Sequence, residues 1–227
     1  PCASQYDELL AFVGEHASQD ISLYKRGTLE RRAVRRMALL GLGPDEVAKY
    51  LEILQADPEE CSLLSTDLLI HVTSFFRDPA VFDHLSAKVF PALVADMTSD
   101  RPLRIWVAGC STGEEAYSLA MVCIEAMEAA GSKARLQILA SDVDPEAIAT
   151  ARAGFFPREI RDTVSADRLA RFFDGESGGY RVTSALRDVI LFTVAALLSD
   201  PPFSKIDLVS CRNVLIYLGA EAQKRVI

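Results

Sequence analysis

The sequence predicts an α/β protein, in which an N-terminal all-helical domain is followed by a doubly wound, Rossmann-like domain. Residues 1–70 carry apolar side chains at helical spacing only, and residues 71–100 are expected to form linking helices. Over 101–227, apolar runs alternate with helical segments, which implies a parallel sheet with right-handed crossovers. Within that region, the stretch 105–121 joins an apolar run to a loop with two glycines and an acidic helix, the nucleotide-binding corner of such folds.

Helical periodicity and capping residues define the N-terminal elements. Apolar spacing predicts a first helix over 6–17. Thr28 is a candidate N-cap of the second helix, because its hydroxyl can accept a hydrogen bond from the first turn. A third helix is predicted over 46–55, and Asp57 and Pro58 are expected to form a loop.

The α/β domain is built from short apolar runs and amphipathic segments in alternation. Strands are predicted at 103–108, 136–141, 189–194 and 206–210. Helices are predicted at 114–130 and 145–152, with another from Val214 onward. Residues 154–187 break this rhythm, with glycines at 175, 178 and 179, so they are expected to form a small inserted antiparallel β lobe.

Composition excludes several classes of function. The formal net charge is −8 and the pI is near 5.0, which argues against nucleic-acid binding, because no basic field exists to displace phosphate counterions. The five cysteines form no C-x-x-C pair and the three histidines lack ligand spacing, so neither a disulfide framework nor a metal site is expected. No signal peptide or membrane-spanning run is evident, so we expect a cytoplasmic protein without direct membrane insertion.

The glycine loop and two acidic positions indicate the kind of cofactor. Gly109 and Gly113 are four residues apart, closer to the loop of methyltransferases that use S-adenosylmethionine than to a dinucleotide fingerprint. The following helix begins with Glu114 and Glu115, which would repel a pyrophosphate but suit a sulfonium and an ammonium group. The alternative is that these acids only complement the helix dipole. Asp142 ends the next strand, where a ribose hydroxyl would lie, and favours the cofactor interpretation.

Four motifs in order resemble the CheR-type chemotaxis protein methyltransferases, and the resemblance covers essentially the whole chain. These motifs are Thr73-Ser74-Phe75-Phe76-Arg77-Asp78, Gly109-Cys110-Ser111-Thr112-Gly113-Glu114-Glu115-Ala116-Tyr117-Ser118, Ala140-Ser141-Asp142-Val143-Asp144 and Cys211-Arg212-Asn213-Val214-Leu215-Ile216-Tyr217. The resemblance implies methyl transfer from S-adenosylmethionine, with S-adenosylhomocysteine as product, to glutamate side chains on cytoplasmic helices of chemoreceptors.

The resemblance also implies roles for individual residues. Thr73 and Arg77 would contact the methionine end of the cofactor or the reacting carboxylate, and Glu115 would bind the cofactor's amino group. Asp142 would bind the ribose, and Gly109 and Gly113 would form the loop around the cofactor. Leu197 would lie near the adenine end. Beside Leu197, two alanines stand where the family usually carries a polar residue.

Further positions follow from the last motif. Arg212 and Asn213 would flank the cofactor at the carboxyl end of a strand, where ligands of α/β folds bind. Tyr217 and Arg77 would face the substrate glutamate as the catalytic pair. A glutamate carboxylate is already ionised at pH 7, so no general base is needed; Arg77 would orient it rather than neutralise it.

A basic segment near the N-terminus is a candidate docking surface for the receptor. Arg31, Arg32, Arg35 and Arg36 form two i, i+4 pairs of like charge, whose repulsion is a small cost that invites a functional reason. Such a stripe would steer the glutamate-rich methylation helices of receptors. The alternative is a solvated helix face partly paired with acids such as Glu30.

The ends of the chain and the choice of function carry further expectations. The chain starts at Pro1 and stops at Ile227 within an expected helix, so we expect a module of a larger multidomain signalling protein, without the C-terminal sheet hairpin of the family. An alternative function is a non-catalytic module that binds the cofactor or docks a partner. A small-molecule methyltransferase fits less well, because a small substrate needs neither a basic helical domain nor an inserted lobe.

Overall fold

The structure is a computed structural model that describes residues 3–16, 21–69, 72–97 and 101–226. The chain divides into two compact units. One unit contains residues 1–70 together with 213–227, and the other contains residues 71–212. The last fifteen residues therefore belong with the N-terminal helices rather than with the sheet that precedes them.

The helices and strands follow the predicted alternation closely. The N-terminal helices are α1 (Ala3–His16), α2 (Arg26–Leu39), α3 (Val47–Ala56) and α4 (Pro58–Leu68). Next come α5 (Pro79–His84), a π-helical turn (Leu85–Val89), α6 (Phe90–Ala95), β1 (Leu103–Ala108), α7 (Glu114–Ala129), β2 (Leu136–Asp142) and α8 (Pro145–Ala153). The lobe contains β3 (Phe155–Pro157), α9 (Ala166–Phe172), β4 (Phe173–Glu176), β5 (Gly179–Val182) and α10 (Ser184–Arg187). The chain ends with β6 (Ile190–Val194), β7 (Leu208–Ser210), a 3₁₀ turn (Leu215–Tyr217) and α11 (Ala220–Val226).

Two predictions about helix starts are wrong. α2 begins at Arg26, so Thr28 lies inside its first turn and does not cap it. Asp57 and Pro58 form no loop: the Asp57 carboxylate accepts hydrogen bonds from the amides of the second and third residues of α4, and Pro58 is its first residue. Aspartate as N-cap before proline is a common helix start, because proline lacks an amide hydrogen that would otherwise go unpaired.

The C-terminal segment explains why α2 starts early. The backbone N–H of Lys25 donates to the carbonyl of Tyr217 at 2.8 Å, and its ammonium donates to the carbonyl of Ile216 at 2.8 Å. Gly219 N–H donates to the carbonyl of Leu23, which interrupts the helix expected from Val214 onward. These long-range bonds fix the residues before α2, so its first turn is set by tertiary contacts.

The α/β unit contains a parallel sheet in the strand order β6-β2-β1-β7. β1 pairs with β2 in the register Ala108 to Ser141 and with β7 in the register Val107 to Ser210. β2 and β6 extend to one side of β1, whereas β7 lies on the other. The order reverses at β1, and ligands of open α/β sheets bind at the carboxyl ends of strands at such a point.

The inserted lobe is a small antiparallel sheet in the order β3-β5-β4. It packs on the main core through aromatic side chains, with the ring of Phe156 at 5.8 Å from that of Tyr117 on α7. The Tyr117 hydroxyl donates to the carbonyl of Ala151 at 2.7 Å, so this buried phenol is satisfied. The predicted lobe and the predicted parallel sheet are both confirmed.

Within the part of the chain that the structure describes, no helix is both long and apolar enough to cross a membrane.

Candidate active site

The loop after β1 has a conformation that depends on its glycines. Gly109 has φ 71° and Gly113 has φ 99°, values that L side chains rarely adopt. The amides of Gly109 and Cys110 donate to the carbonyl of Ser141 at 2.8 and 3.0 Å, which ties the loop to the end of β2. Ser111 also has a positive φ, 49°, and such strained residues cluster at ligand sites.

Asp142 connects this loop to the end of β2. Its carboxylate accepts a hydrogen bond from the amide of Ser111 at 2.7 Å and one from the amide of Asp144 at 3.1 Å. The backbone carbonyl of Asp142 accepts from Ala195 at 2.9 Å, so the turn that carries Leu197 follows directly beyond it. Two backbone donors use only part of the acceptor capacity of a carboxylate, which leaves lone pairs for a diol.

Three carboxylates make the loop electronegative. Burial raises the pKa of the Cys110 thiol, and the negative charges of Asp142, Glu114 and Glu115 raise it further. Burial likewise raises the pKa of Glu114, whose carboxylate accepts a hydrogen bond from the Thr112 hydroxyl at 2.7 Å. A pyrophosphate would meet these charges instead of a bare helix N-terminus, whereas the cationic end of S-adenosylmethionine fits them.

Glu115 lies at the junction of α7 and β7. One of its carboxylate oxygens accepts from the hydroxyl of Ser210 at 2.5 Å, and the other accepts from Nη1 of Arg212 at 3.2 Å. The side chains of Glu115 and Arg212 are 14% and 20% exposed, so the ion pair is largely shielded from water. The structure thus brings together two residues, Glu115 and Arg212, each of which is predicted to contact the cofactor.

Arg212 also reaches the turn that contains Arg77. Its Nη2 donates to the backbone carbonyl of Arg77 at 2.8 Å and to the carboxylate of Asp78 at 2.7 Å. The Arg77 guanidinium itself donates to the carbonyl of Val72 at 2.5 Å. Thr73 is half-buried in the same turn, so the first motif and the last motif meet around Arg212.

Asn213 and Tyr217 belong to the other unit, with the helical domain. Asn213 has φ 60°, and the backbone of Tyr217 is held by Lys25 at the start of α2. Burial lowers the pKa of Arg32, and the nearby Tyr217 partly offsets this. Tyr217, which is predicted to face the substrate, and the basic helix therefore lie in one unit, a relationship that no local pattern in the sequence indicates.

The four arginines of α2 have different surroundings. Arg31 and Arg35 are exposed. Arg32 donates to the carbonyls of Asp67 and Leu69 at 2.7 and 3.1 Å and so satisfies the end of α4. Arg36 turns inward, so the docking role predicted for it would compete with intramolecular ion pairs.

Arg36 is the centre of a polar cluster that sequence reasoning missed. It forms a two-point ion pair with Glu60, at 2.9 and 2.7 Å, and a single bond with Asp67 at 3.2 Å. The buried hydroxyl of Tyr50 donates to Glu60 at 2.8 Å. The Arg36 hydrogen bonds hold the pKa of Glu60 below its usual range, whereas burial raises the pKa of Tyr50.

Two residues near the cofactor loop were also missed. Ser210 directly precedes the motif that contains Arg212, and Asp78 is the last residue of the motif that contains Arg77, so adjacency was the only available signal. Within the described ranges, which omit 1–2, 17–20, 70–71, 98–100 and 227, no cluster of His, Cys, Asp or Glu could hold a metal ion.

Comparison with known proteins identifies the family of this chain. The family model for the CheR methyltransferase all-alpha domain matches residues 4–69, and that for the CheR methyltransferase SAM binding domain matches residues 71–227. An uncharacterized 104.1 kDa protein in the hypE 3' region of Rhodobacter capsulatus is 46% identical over 97% of this chain, which spans 23% of that protein.

Shorter relatives carry descriptive names. A putative methyltransferase, Cher3, of Pseudomonas putida is 32% identical over 92% of this chain and 76% of its own length. Chemotaxis protein methyltransferase 2 of Pseudomonas aeruginosa is 34% identical over 86% of this chain and 69% of its own length. The two family models together match nearly all of the sequence, and the chain therefore belongs to the CheR methyltransferase family.

Proposed function

We propose that this chain transfers a methyl group from S-adenosylmethionine to glutamate side chains on cytoplasmic helices of chemoreceptors, forming glutamate methyl esters. The observation that carries the proposal is the pair of carboxylates, Asp142 and Glu115, that flank the loop 109–113 in a chain of the CheR family. One is fixed at the β2 side of the loop and the other at the β7 side.

The residues present suit this cofactor. When bound, S-adenosylmethionine supplies a methyl carbon that its sulfonium makes electrophilic, and it leaves as S-adenosylhomocysteine. Asp142 would accept from the ribose hydroxyls, and Leu197 would border the adenine. Glu115 would accept from the ammonium group with the lone pairs that Ser210 and Arg212 leave available.

The glutamate nucleophile needs orientation rather than activation. Its carboxylate is ionised at pH 7, and alignment of reacting groups is a large part of what an enzyme can contribute to such a displacement. Arg77 would hold the carboxylate plane, with its own backbone fixed by Arg212. Thr73 and Asn213 would border the cofactor, and Tyr217 would face the substrate.

The basic helix would guide the receptor to this site. Arg31 and Arg35 are exposed on α2, and Lys25, the residue before this helix, donates its backbone N–H to the carbonyl of Tyr217. Electrostatic attraction by such a stripe raises the association rate of acidic helices. Arg32 and Arg36 would contribute to the same field while they stabilise α4 and its surroundings.

A methylation assay tests the proposal. Purified chain and a chemoreceptor cytoplasmic fragment are incubated with methyl-tritiated S-adenosylmethionine, and methanol released by base is counted, because carboxylate methyl esters are base-labile. We expect transfer by the wild type and a fall in kcat of about tenfold or more in Arg77→Gln and in Tyr217→Phe, the size of one hydrogen bond to a charged group. Arg101→Gln, which loses an exposed ion pair to Asp207, is the matched control.

The outcomes separate the two candidate functions. Transfer that depends on Arg77 and Tyr217 supports the methyltransferase. Micromolar binding of S-adenosylhomocysteine by calorimetry, without transfer to any receptor fragment, would instead establish the non-catalytic module.

A further inference from the structure

Phe76, the residue before Arg77, is in contact with the inserted lobe. The guanidinium carbon of Arg168, on α9 of the lobe, lies 4.4 Å from the ring centroid of Phe76. The ring of Phe82 meets that of Phe76 edge-on, with centroids 5.2 Å apart. Phe76 is buried, so the cation–π contact is shielded from water, where such contacts are strongest.

Arg168 is itself held in place. Its guanidinium makes two hydrogen bonds of 2.8 Å to the carboxylate of Glu125 on α7. Both side chains are less than a third exposed. The two-point ion pair fixes the plane of the guanidinium, so little further entropy is lost when it stacks on the ring.

The backbone of Phe76 needs this support. Its φ is 52°, a conformation that costs an L residue energy and persists only where the surroundings hold it. Its amide donates to the hydroxyl of Ser118 at 3.0 Å, and that fully buried hydroxyl donates to the carbonyl of Glu114 at 2.7 Å. The turn is therefore fastened to the first turns of the cofactor helix as well as to the lobe.

Phe75 adds a second contact with the lobe. Its ring lies 4.8 Å from that of Phe156 on β3 and 5.6 Å from that of Phe173 on β4, both edge-on. On the far side of the turn, Arg212 lies 5.5 Å from the ring of Phe82. A continuous series of side-chain contacts therefore connects Arg168 of the lobe, through Phe76 and Phe82, to Arg212. Arg212 in turn donates to the carbonyl of Arg77.

We propose that the inserted lobe positions Arg77 for methyl transfer, and that Arg168 is the positioning residue that acts through Phe76. This rests on the proposed function, in which Arg77 orients the reacting carboxylate. A lobe that only filled a gap in the core would need no charged residue stacked on the ring next to that arginine.

The helix α9 offers a matched control for the test. Arg171 lies one turn after Arg168, forms an ion pair with Glu128 of the same helix α7, and stacks on a ring at 4.6 Å. That ring is Phe172 of its own helix, so Arg171 has the same kinds of contact but none with the turn. Arg168→Gln and Arg171→Gln are therefore compared in the assay of methanol release.

We expect Arg168→Gln to lower kcat about three- to tenfold, with Arg171→Gln at the wild-type value, in line with the strength of a shielded cation–π contact. Arg168→Lys, which retains the cation but not the two-point ion pair, should recover part of the rate. In a Phe76→Leu background, Arg168→Gln should have no further effect, because the ring through which it acts is gone.

Hydrogen exchange gives a second readout that needs no catalysis. Arg168→Gln should raise exchange of the peptide covering 72–78, where the Phe76 amide is bonded to Ser118, and Arg171→Gln should not. Wild-type kcat in Arg168→Gln, or equal losses in the two variants, would overturn the proposal. If the wild type transfers no methyl group, the proposed function fails, while selective loss of protection still supports the lobe as the support of this turn.

Discussion

Arg212 and Glu115 form an ion pair, 3.2 Å from Nη1 to Oε2, that joins the end of β7 to the first turn of α7. Arg212 simultaneously binds the Arg77 carbonyl and the Asp78 carboxylate, so one guanidinium connects the cofactor helix with the turn of the first motif. Ser210 completes the set by donating to the other oxygen of Glu115. These two partners fix the orientation of the Glu115 carboxylate, which would lower the entropy cost of binding an ammonium group in the role proposed for it.

Replacement of Glu115 by glutamine should weaken binding of S-adenosylhomocysteine by about 10- to 100-fold, the range expected for loss of a hydrogen bond to a charged group. The amide keeps the shape of the side chain but loses its charge, and it leaves Arg212 without that partner. Isothermal titration calorimetry measures the change in Kd. Glu128→Gln, on the same helix and also in an ion pair with an arginine, is the control and should bind as the wild type does. Equal affinity in Glu115→Gln and wild type would remove Glu115 from the cofactor site.

Glu60 should make the helical unit sensitive to acid. Because its folded-state pKa is depressed by Arg36, the stabilisation is complete above the unfolded pKa of about 4.3 and is lost as pH falls through the lower folded value. At pH 7, Glu60→Gln should lower the free energy of unfolding by about 3 kcal/mol, because Arg36 is left buried without its two-point partner. The same variant should show a flatter dependence of stability on pH between 3 and 5.

Urea unfolding can assign this effect to the correct unit. The single tryptophan, Trp106, lies on β1, so its fluorescence reports the α/β unit, whereas far-ultraviolet circular dichroism also reports the helical unit. Glu59→Gln, at the exposed neighbouring position, is the control and should change stability little. A urea midpoint in Glu60→Gln equal to that of the wild type would show that the buried Arg36–Glu60 pair makes no net contribution to stability.

Charge reversal at Arg35 should slow receptor methylation without affecting the cofactor. Arg35 is exposed on α2, so Arg35→Glu replaces attraction of an acidic helix by repulsion while leaving the buried cluster around Arg36 intact. We expect the KM for a receptor fragment to rise about three- to tenfold at low salt and the difference to shrink at high salt. Lys49→Glu, an equal reversal on the exposed face of α3, is the comparison. The same KM shift in both variants would show that only net charge matters.

Gly113 should tolerate no side chain. A Cβ there would lie 2.9 Å from the Cβ of Ala151 and 3.3 Å from the ring of Phe192, and φ is 99°. Gly113→Ala should lower the free energy of unfolding by about 2–4 kcal/mol, from backbone strain together with overpacking. Gly131 also has a positive φ, 62°, but a Cβ there would meet open space. Gly131→Ala should therefore lower the free energy of unfolding only by the backbone strain, about 1–2 kcal/mol.

Trp106 fluorescence during urea unfolding measures both glycine variants. Similar losses in Gly113→Ala and Gly131→Ala would mean that the contact with Ala151 relaxes without cost.

The sequence by itself determined the fold class, the family and most of the elements. Leu103–Ala108 is a strand with the predicted bounds, and α8 starts at Pro145, as predicted. Such features could be predicted because hydrophobic periodicity and capping chemistry act between residues a few positions apart. The resemblance to CheR methyltransferases, which depends on short motifs in order, is confirmed by the family models. The roles given to individual site residues stay predictions.

Only the tertiary structure decided which charges are available and which are already paired. Arg36 and Glu60 are 24 residues apart, and Arg168 and Phe76 lie on separate elements, so no local pattern could pair them. The same holds for Tyr217, whose backbone bond to Lys25 places the C-terminal segment with the helical unit. The physical reason is that long-range partners are selected by packing and desolvation in the folded chain, which leave no periodic signal along the sequence.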